Sequence, residues 1–195
     1  MGKMRIFLAG VGGQGTLTAT NLISLIAMDK NIDVTSGEIH GMAQRGGIVE
    51  STVLLGGYLS PKIDVGEADV LLGFEPVETL RSLKYLKKGG SVVWNTEPTY
   101  PVGVSTGMEK YPEMDYIEEK INKCAQNSYK LSCIELAKKA GTTKCANIVL
   151  LGAFFSINES PFTLNDLIDG IKKHMSPKIQ DINIKAAKLG SEAIK

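Results

Sequence analysis

Side chains that usually carry metal and redox chemistry are scarce in this chain: its 195 residues include three cysteines and two histidines. Cys124, Cys133 and Cys145 are odd in number and form no CxxC pair, so neither a disulfide framework nor a zinc or iron–sulfur site is encoded. His40 and His174 lie far apart, and no histidine-based metal site is expected. An excess of one charge is also lacking. Lys and Arg number 22 against 21 Asp and Glu, with no basic block, so nucleic acid is not an expected partner. The longest apolar run, Ile148 to Ile157 (IVLLGAFFSI), falls well short of the roughly 20 residues that span a bilayer. It reads as a buried helix, and no membrane contact is expected. The opening MGKMRIFLAG enters a strand-like run without an apolar leader or cleavage site, and Ile6 spoils a myristoylation motif. A cytoplasmic location is therefore expected.

What is present fits one domain over residues 1–195, because 43% hydrophobic residues in a chain of this length can build one sizeable core. Arg5 to Ala9 is short and continuously apolar, as a central parallel strand should be. Thr16 to Met28 follows as a helix, with Leu17, Asn21, Leu25 and Met28 at helical spacing and Leu22 and Ile26 widening the stripe. Strands are expected over Asp33 to Glu38, Ile48 to Leu55 and Ala68 to Phe74; Gly56-Gly57 suggests a hairpin and hence some antiparallel pairing. Pro76 suits the first turn of a helix burying Val77, Leu80, Leu83 and Leu86 and ending at Gly89-Gly90. Ser91 to Asn95 returns as a strand, and Thr96 to Pro112 reads as a long loop. The last third reads as helical over Glu113 to Ala125, Ile134 to Ala140, Lys144 to Ile157, Leu164 to Met175 and Lys178 to Ile194, with a Thr163/Asp166 capping box. The implied fold is a three-layer α/β/α domain: a mostly parallel, partly mixed Rossmann-like sheet with a helical C-terminal third.

Gly10, Gly12 and Gly15 satisfy GxGxxG between strand and helix, and Gly13 adds further freedom. Such a loop lets a ligand approach closely while N–H groups at a helix N-terminus attract an anion, which makes Gly10, Gly12, Gly13, Gln14, Gly15 and Thr16 candidate cofactor contacts. The same glycines would equally serve to pack a helix tightly on a strand. Glu38, ending the second strand, is placed to meet a ribose if the ligand is a dinucleotide. No Walker lysine follows, which disfavours P-loop ATP binding.

HGMAQRGG, residues 40 to 47, follows the second strand and should share the carboxyl edge of the sheet with the glycine loop. Arg45 offers a fork of donors suited to phosphate or carboxylate, Gln44 offers both a donor and an acceptor, and His40 adds an imidazole, the side chain type whose ordinary pKa is nearest neutral. Gly41, Gly46 and Gly47 permit unusual backbone angles. The bland alternative is a solvated connection with a surface arginine.

Four stretches, GVGGQG at 10–15, EIHGMAQRGGIVES at 38–51, LSPKIDVGEADVLLGFEPVETLR at 59–81 and ANIVLLGA at 146–153, closely resemble the beta subunit of indolepyruvate:ferredoxin oxidoreductases, and more broadly the gamma subunits of 2-oxoacid:ferredoxin oxidoreductases. The resemblance implies oxidative decarboxylation of arylpyruvates with coenzyme A, giving an aryl-acetyl-CoA, carbon dioxide and reduced ferredoxin. It also implies an alpha subunit that carries thiamine diphosphate, magnesium and the iron–sulfur clusters. This chain has no GDG…NN thiamine signature, and the resemblance assigns it no catalytic residue, no metal and no cofactor of its own. Because the 40–47 stretch should share a sheet edge with the glycine loop, His40, Gly41, Met42, Gln44, Arg45, Gly46 and Gly47 are candidate contacts to coenzyme A or the partner. A more arginine-rich version of that segment marks the pyruvate branch, so the arylpyruvate branch is favoured over pyruvate or 2-oxoglutarate. Leu54 stands where many relatives carry arginine, which removes any role for that charge. A free-standing NAD- or FAD-dependent oxidoreductase and a purely structural subunit are the competing readings.

Overall fold

Alternation along the first strand divides its side chains between two cores. Ile6 and Leu8 enter the larger cluster, while Phe7 and Ala9 enter a separate one on the opposite face. A computed structural model describes residues 2–40, 47–100, 104 and 110–194, the side chain of His40 excepted. Within them, six strands form one sheet in the order β2-β3-β1-β4-β5-β6. The strands are β1 (Met4–Val11), β2 (Val34–His40), β3 (Ile48–Leu55), β4 (Ala68–Gly73), β5 (Leu86–Asn95) and β6 (Asn127–Leu131). β1, β4, β5 and β6 run parallel, whereas β3 is antiparallel to both of its neighbours, β1 and β2.

The larger layer holds α1 (Thr16–Asp29), α4 (Cys133–Ala140), α5 (Ala146–Phe154), α6 (Leu164–His174) and α7 (Pro177–Glu192); the opposite layer holds α2 (Pro76–Ser82) and α3 (Met114–Cys124). This is the expected three-layer, partly mixed sheet. α5 is buried at every position from Asn147 to Phe154, as a helix apolar on all sides must be. The capping box is present: Asp166 N–H donates to Thr163 Oγ1 at 3.3 Å, and Thr163 N–H to Asp166 Oδ2 at 2.7 Å.

Four sequence expectations require correction. Gly56-Gly57 closes no hairpin, because β3 pairs with β2 from Val34↔Leu55 to His40↔Val49; the hairpin connection therefore falls in the 40–47 stretch. The helix after Pro76 ends at Ser82, and Gly89-Gly90 lies inside β5. Between the pairs Ala68↔Leu86 and Val70↔Ser91 the strand β5 advances five residues against two, a bulge accommodated by Gly89 at φ 83°. The inward stripe of α1 is rotated from the expected one. Leu17 and Met28 are exposed, whereas Ala19, Leu22, Ile23, Ile26 and Ala27 are buried. Small residues at 19 and 27 bring the helix closer to its neighbours than the leucines would. β6 was not expected at all; of its five residues Leu131 alone is buried, and pairing with β5 makes it a strand.

Candidate functional site

Parallel strands bring the carboxyl ends of β1, β4, β5 and β6 to one edge, where the following loops meet. β2 runs parallel to them, so the 40–47 stretch leaves from the same edge. The two glycine-rich segments touch there, Gly12 N–H donating to Gly47 O at 2.9 Å. Gly41, Met42, Gln44, Arg45 and Gly46 lie outside the described residues.

The loop after β1 is built largely from its own contacts. Gln14 folds back so that Oε1 accepts from Val11 N–H at 2.9 Å, while Nε2 donates to Thr99 Oγ1 at 3.0 Å. Gly15 is the left-handed residue before α1, with φ 78° and ψ 26°. A Cβ there would stand 2.6 Å from Asn147 Nδ2, which donates to Gly15 O at 3.2 Å. At Gly10 a Cβ would meet Phe74 Cβ and Gln14 Oε1, both at 2.8 Å. Gly10 and Gly15 are thus required by the protein's own packing, and the Gly12 N–H is already committed. Thr16 Oγ1 is buried without a hydrogen-bond partner among the described residues.

Between this loop and helices α4 and α5 opens a cleft of about 440 Å³, within the roughly 300 to 1,000 Å³ usual for small-molecule sites. Gly13 and Gln14 line it from the loop, Phe74 and Leu150 supply apolar surface, and Lys138 and Lys144 line it as well. Asn95 is a buried brace beneath it, donating to Phe74 O at 3.1 Å and accepting from Cys133 N–H at 3.0 Å. Glu97 accepts from the N–H groups of Ile134 and Glu135 at the start of α4, as a capping carboxylate does. Burial pushes the Cys133 thiol well above its usual range, so it lines the cleft as an apolar wall rather than a nucleophile.

Glu75, after β4, ties the cleft rim together. Its carboxylate is buried, caps α2 by accepting from Val77 and Glu78 N–H at 2.7 and 3.0 Å, and accepts from Tyr111 Oη at 2.6 Å and Thr99 N–H at 3.3 Å. Burial first, then that carboxylate, push the Tyr111 phenol upward, so it remains a donor. Glu78 is likewise pushed up by burial, against the pull of Arg81.

Glu38 stands apart from this cleft. β3 is inserted between β1 and β2, so Glu38 lies two strands, about 10 Å, from β1. It lines a different cavity of about 490 Å³ with Ile39, Glu50, Pro61 and Tyr85. The ribose contact expected of a dinucleotide site needs the second strand beside the first, and here it is not. Conversely, Glu75, Asn95, Lys138, Lys144 and Asn147 were not singled out in the sequence; a strand-end GFEP and the opening of ANIVLLGA were the available signals for Glu75 and Asn147. The three thiols are dispersed, Cys124 exposed and Cys133 and Cys145 buried, and no group of three or more metal-ligating side chains occurs among the described residues. No helix among them is long and apolar enough to cross a membrane.

The chain is 39% identical over 188 residues to indolepyruvate oxidoreductase subunit IorB of Archaeoglobus fulgidus, covering 96% of this chain and 94% of that one. Identity is also 39% over 200 residues to the subunit of the same name in Pyrococcus horikoshii, covering 100% and 98%. Among solved structures, pyruvate oxidoreductase subunit PORC of Thermotoga maritima shares the fold with a TM-score of 0.76 at 17% identity, covering 100% of this chain and 98% of that one. With a family model matching residues 5–193, this chain belongs to the pyruvate ferredoxin/flavodoxin oxidoreductase family.

Proposed function

We propose that this chain is the subunit of an indolepyruvate:ferredoxin oxidoreductase that lacks the thiamine and iron–sulfur groups. The complex would oxidatively decarboxylate arylpyruvates with coenzyme A, yielding aryl-acetyl-CoA, carbon dioxide and reduced ferredoxin. The observation that carries this reading is 39% identity along nearly the whole chain to subunits of that name. Thiamine diphosphate, magnesium and the clusters belong to a partner alpha subunit, through which ferredoxin is reduced. The described residues here hold no cysteine group that would suit a cluster.

This subunit's own contribution is a surface at the carboxyl edge of the sheet that covers the partner's active site and helps hold coenzyme A. The Gly12 to Gly47 hydrogen bond supports that role, because it joins the glycine loop to the last residue of the HGMAQRGG stretch. A charge-assisted contact from Arg45 to a coenzyme A phosphate is worth about 1.5 to 3 kcal/mol. The test is to co-express the chain with a thiamine-binding alpha subunit and assay dye or ferredoxin reduction with indolepyruvate and coenzyme A. Activity should require both chains, and Arg45→Ala should raise KM for coenzyme A roughly tenfold or more. Full activity of the alpha subunit alone would overturn the reading. Dissociation of the Arg45→Ala complex with coenzyme A affinity intact would make the stretch an interface element only. Saturable micromolar binding of NADH by the purified chain would favour a nicotinamide enzyme instead.

A further inference from the structure

The two faces of the sheet are covered unequally. On one face α1 packs over β1, β2 and β3; on the other α2 packs on β1, β4 and β5 and α3 on β5 and β6, and neither makes more than marginal contact with β2 or β3. The register fixes which side chains share that second face: Ile39 lies across from Glu50 and Glu50 from Ala9, while Gly37 lies across from Thr52 and Thr52 from Phe7. Cover runs out along β3. Leu54 is buried, Thr52 and Glu50 are half-buried and Ile48 is exposed, whereas Val49, Ser51 and Val53, on the α1 side, are all buried. Partial cover comes from the segment 58–65, which is pinned to the strands. Thr35 Oγ1 donates to Tyr58 O at 2.5 Å and Thr52 Oγ1 to Pro61 O at 2.7 Å, and Gly37 leaves room for Pro61, because a Cβ there would stand 2.7 Å from Pro61 Cβ. Between segment and strands lies the cavity of about 490 Å³, whose lining includes Phe7 stacked on Tyr85 at 4.3 Å. Ile39 on the strand side and Val65 on the segment side are each 70% exposed.

A preformed apolar groove open to water marks contact with another macromolecule. One charge specifies what that contact brings. Glu50 lines the groove beside Ile39, and its carboxylate forms no ion pair or hydrogen bond among the described residues; Lys62, in the same lining, is paired with Asp64 at 2.8 Å. Covering Glu50 without a cation would leave a desolvated charge unpaired, which is strongly unfavourable. A second copy of this chain, seated by two-fold symmetry, would present the same carboxylate and the same committed lysine. A different chain is needed, and β2 and β3 run directly into the 40–47 stretch proposed above to meet the alpha subunit. We infer that this groove is a docking site for the alpha subunit, which fills it with an apolar segment carrying a lysine or arginine that pairs with Glu50. The inference rests on the reading that this chain works with such a partner. It goes beyond that reading by placing a contact on the bare half of the sheet face, away from the cleft.

The experiment uses the full chain and the alpha subunit, purified separately. Assembly is followed by biolayer interferometry, and hydrogen exchange of the chain is measured by mass spectrometry before and after assembly. β2 and the segment 58–65 should exchange more slowly in the complex. Ile39→Glu should raise the Kd of assembly roughly tenfold or more, and Glu50→Lys should do the same by setting cation against cation. The parent Kd should rise with salt, and Glu50→Gln should flatten that dependence. Met28→Glu, at a comparably exposed site on α1 over the opposite face, should leave Kd unchanged. Unchanged melting temperatures will show that the variants fold, and the exchange measurement on the parent needs no substitution at all. An unchanged Kd in both folded variants overturns the inference, as does a lack of protection in β2 and the segment 58–65. So does a parent chain that sediments as a dimer and becomes monomeric on Ile39→Glu with its affinity for the alpha subunit intact, which would give the groove to a second copy. If the folded variants bind the alpha subunit as the parent does and the complexes are active, the docking site falls and the proposed function stands. If the parent itself does not bind the alpha subunit, both fall.

Discussion

One helix joins two regions of opposite character. The body of α5 crosses α7 so closely that a Cβ added at Gly152 would stand 2.0 Å from Ala187 O, and one added at Gly190 would stand 1.9 Å from Val149 O. Its first turn reaches the cleft, where Asn147 bridges to Gly15 O and the exposed Lys138 and Lys144 form no salt bridge within 4.0 Å among the described residues. In the crossing every contact is spent on packing, as in a close-packed interior. In the cleft, the amides are spent on structure while the cations are not. Residues with saturated partners set the shape of the site, and residues without them are available to a ligand. The two groups should therefore fail in different ways, one losing stability and the other affinity.

The crossing is where the largest effect is expected. Gly190→Val puts branched carbon where the backbone of Val149 already stands, and backbone cannot rotate aside. Over-packing of this severity costs about 3 kcal/mol or more, a drop of at least about 6 °C in Tm for a domain of this size. Scanning calorimetry checks it, and a Tm within a degree of the parent would show that the helices slide apart freely. Asn147→Ala should be intermediate. It removes one hydrogen bond to Gly15 O and another from Ile148 N–H at a buried position, which costs about 2 kcal/mol, or roughly 4 to 8 °C. This loss should appear in the chain without any ligand. If Asn147→Ala instead lowered affinity and left Tm untouched, the division between structural amides and ligand cations would be wrong.

The smallest effect is expected at an exposed rim far from both regions. Asp29, ending α1, accepts from Lys173 Nζ at 2.6 Å and pairs with His174 Nε2 at 2.7 Å. Hydrogen bonds from Lys173 and then His174 hold its carboxyl below the usual range. A carboxylate with a lowered folded value contributes stability above its unfolded value of about 3.9, and that contribution disappears as pH falls through the folded value. Parent and Asp29→Asn should therefore differ slightly in Tm near pH 7 and converge as the pH falls through the lowered folded value. A gap that widens in acid would show that the pair does not hold the carboxylate in its charged form.

Much of the fold was legible because its signals are local. The continuous apolar run of β1, the glycine turn before α1, Pro76 at a helix entry and the Thr163/Asp166 box each act within a few residues, and each occurs where the pattern put it. The shared edge of the two glycine-rich stretches was legible too, since the directions of consecutive strands follow from their connections. β6 was not, because NSYKL carries no apolar alternation and is a strand only through β5. Nor was the insertion of β3 between β1 and β2, which moves Glu38 away from the loop that a dinucleotide fold would pair it with. Lys138 and Lys144 look in sequence like ordinary solvated cations on short helical segments.

By itself the sequence determined the layer architecture, the family and the presence of a glycine-rich turn before a helix, since periodicity, turn chemistry and motif are properties of neighbouring residues. The tertiary structure alone decided what that turn does. Side chains from distant segments, Phe74, Thr99 and Asn147, occupy the space and hydrogen bonds that GxGxxG might have kept for a ligand. Two lysines far along the chain come to face the cavity that remains. Which groups are consumed and which stay uncommitted depends on contacts between residues far apart in the chain, and those exist only once the chain has folded.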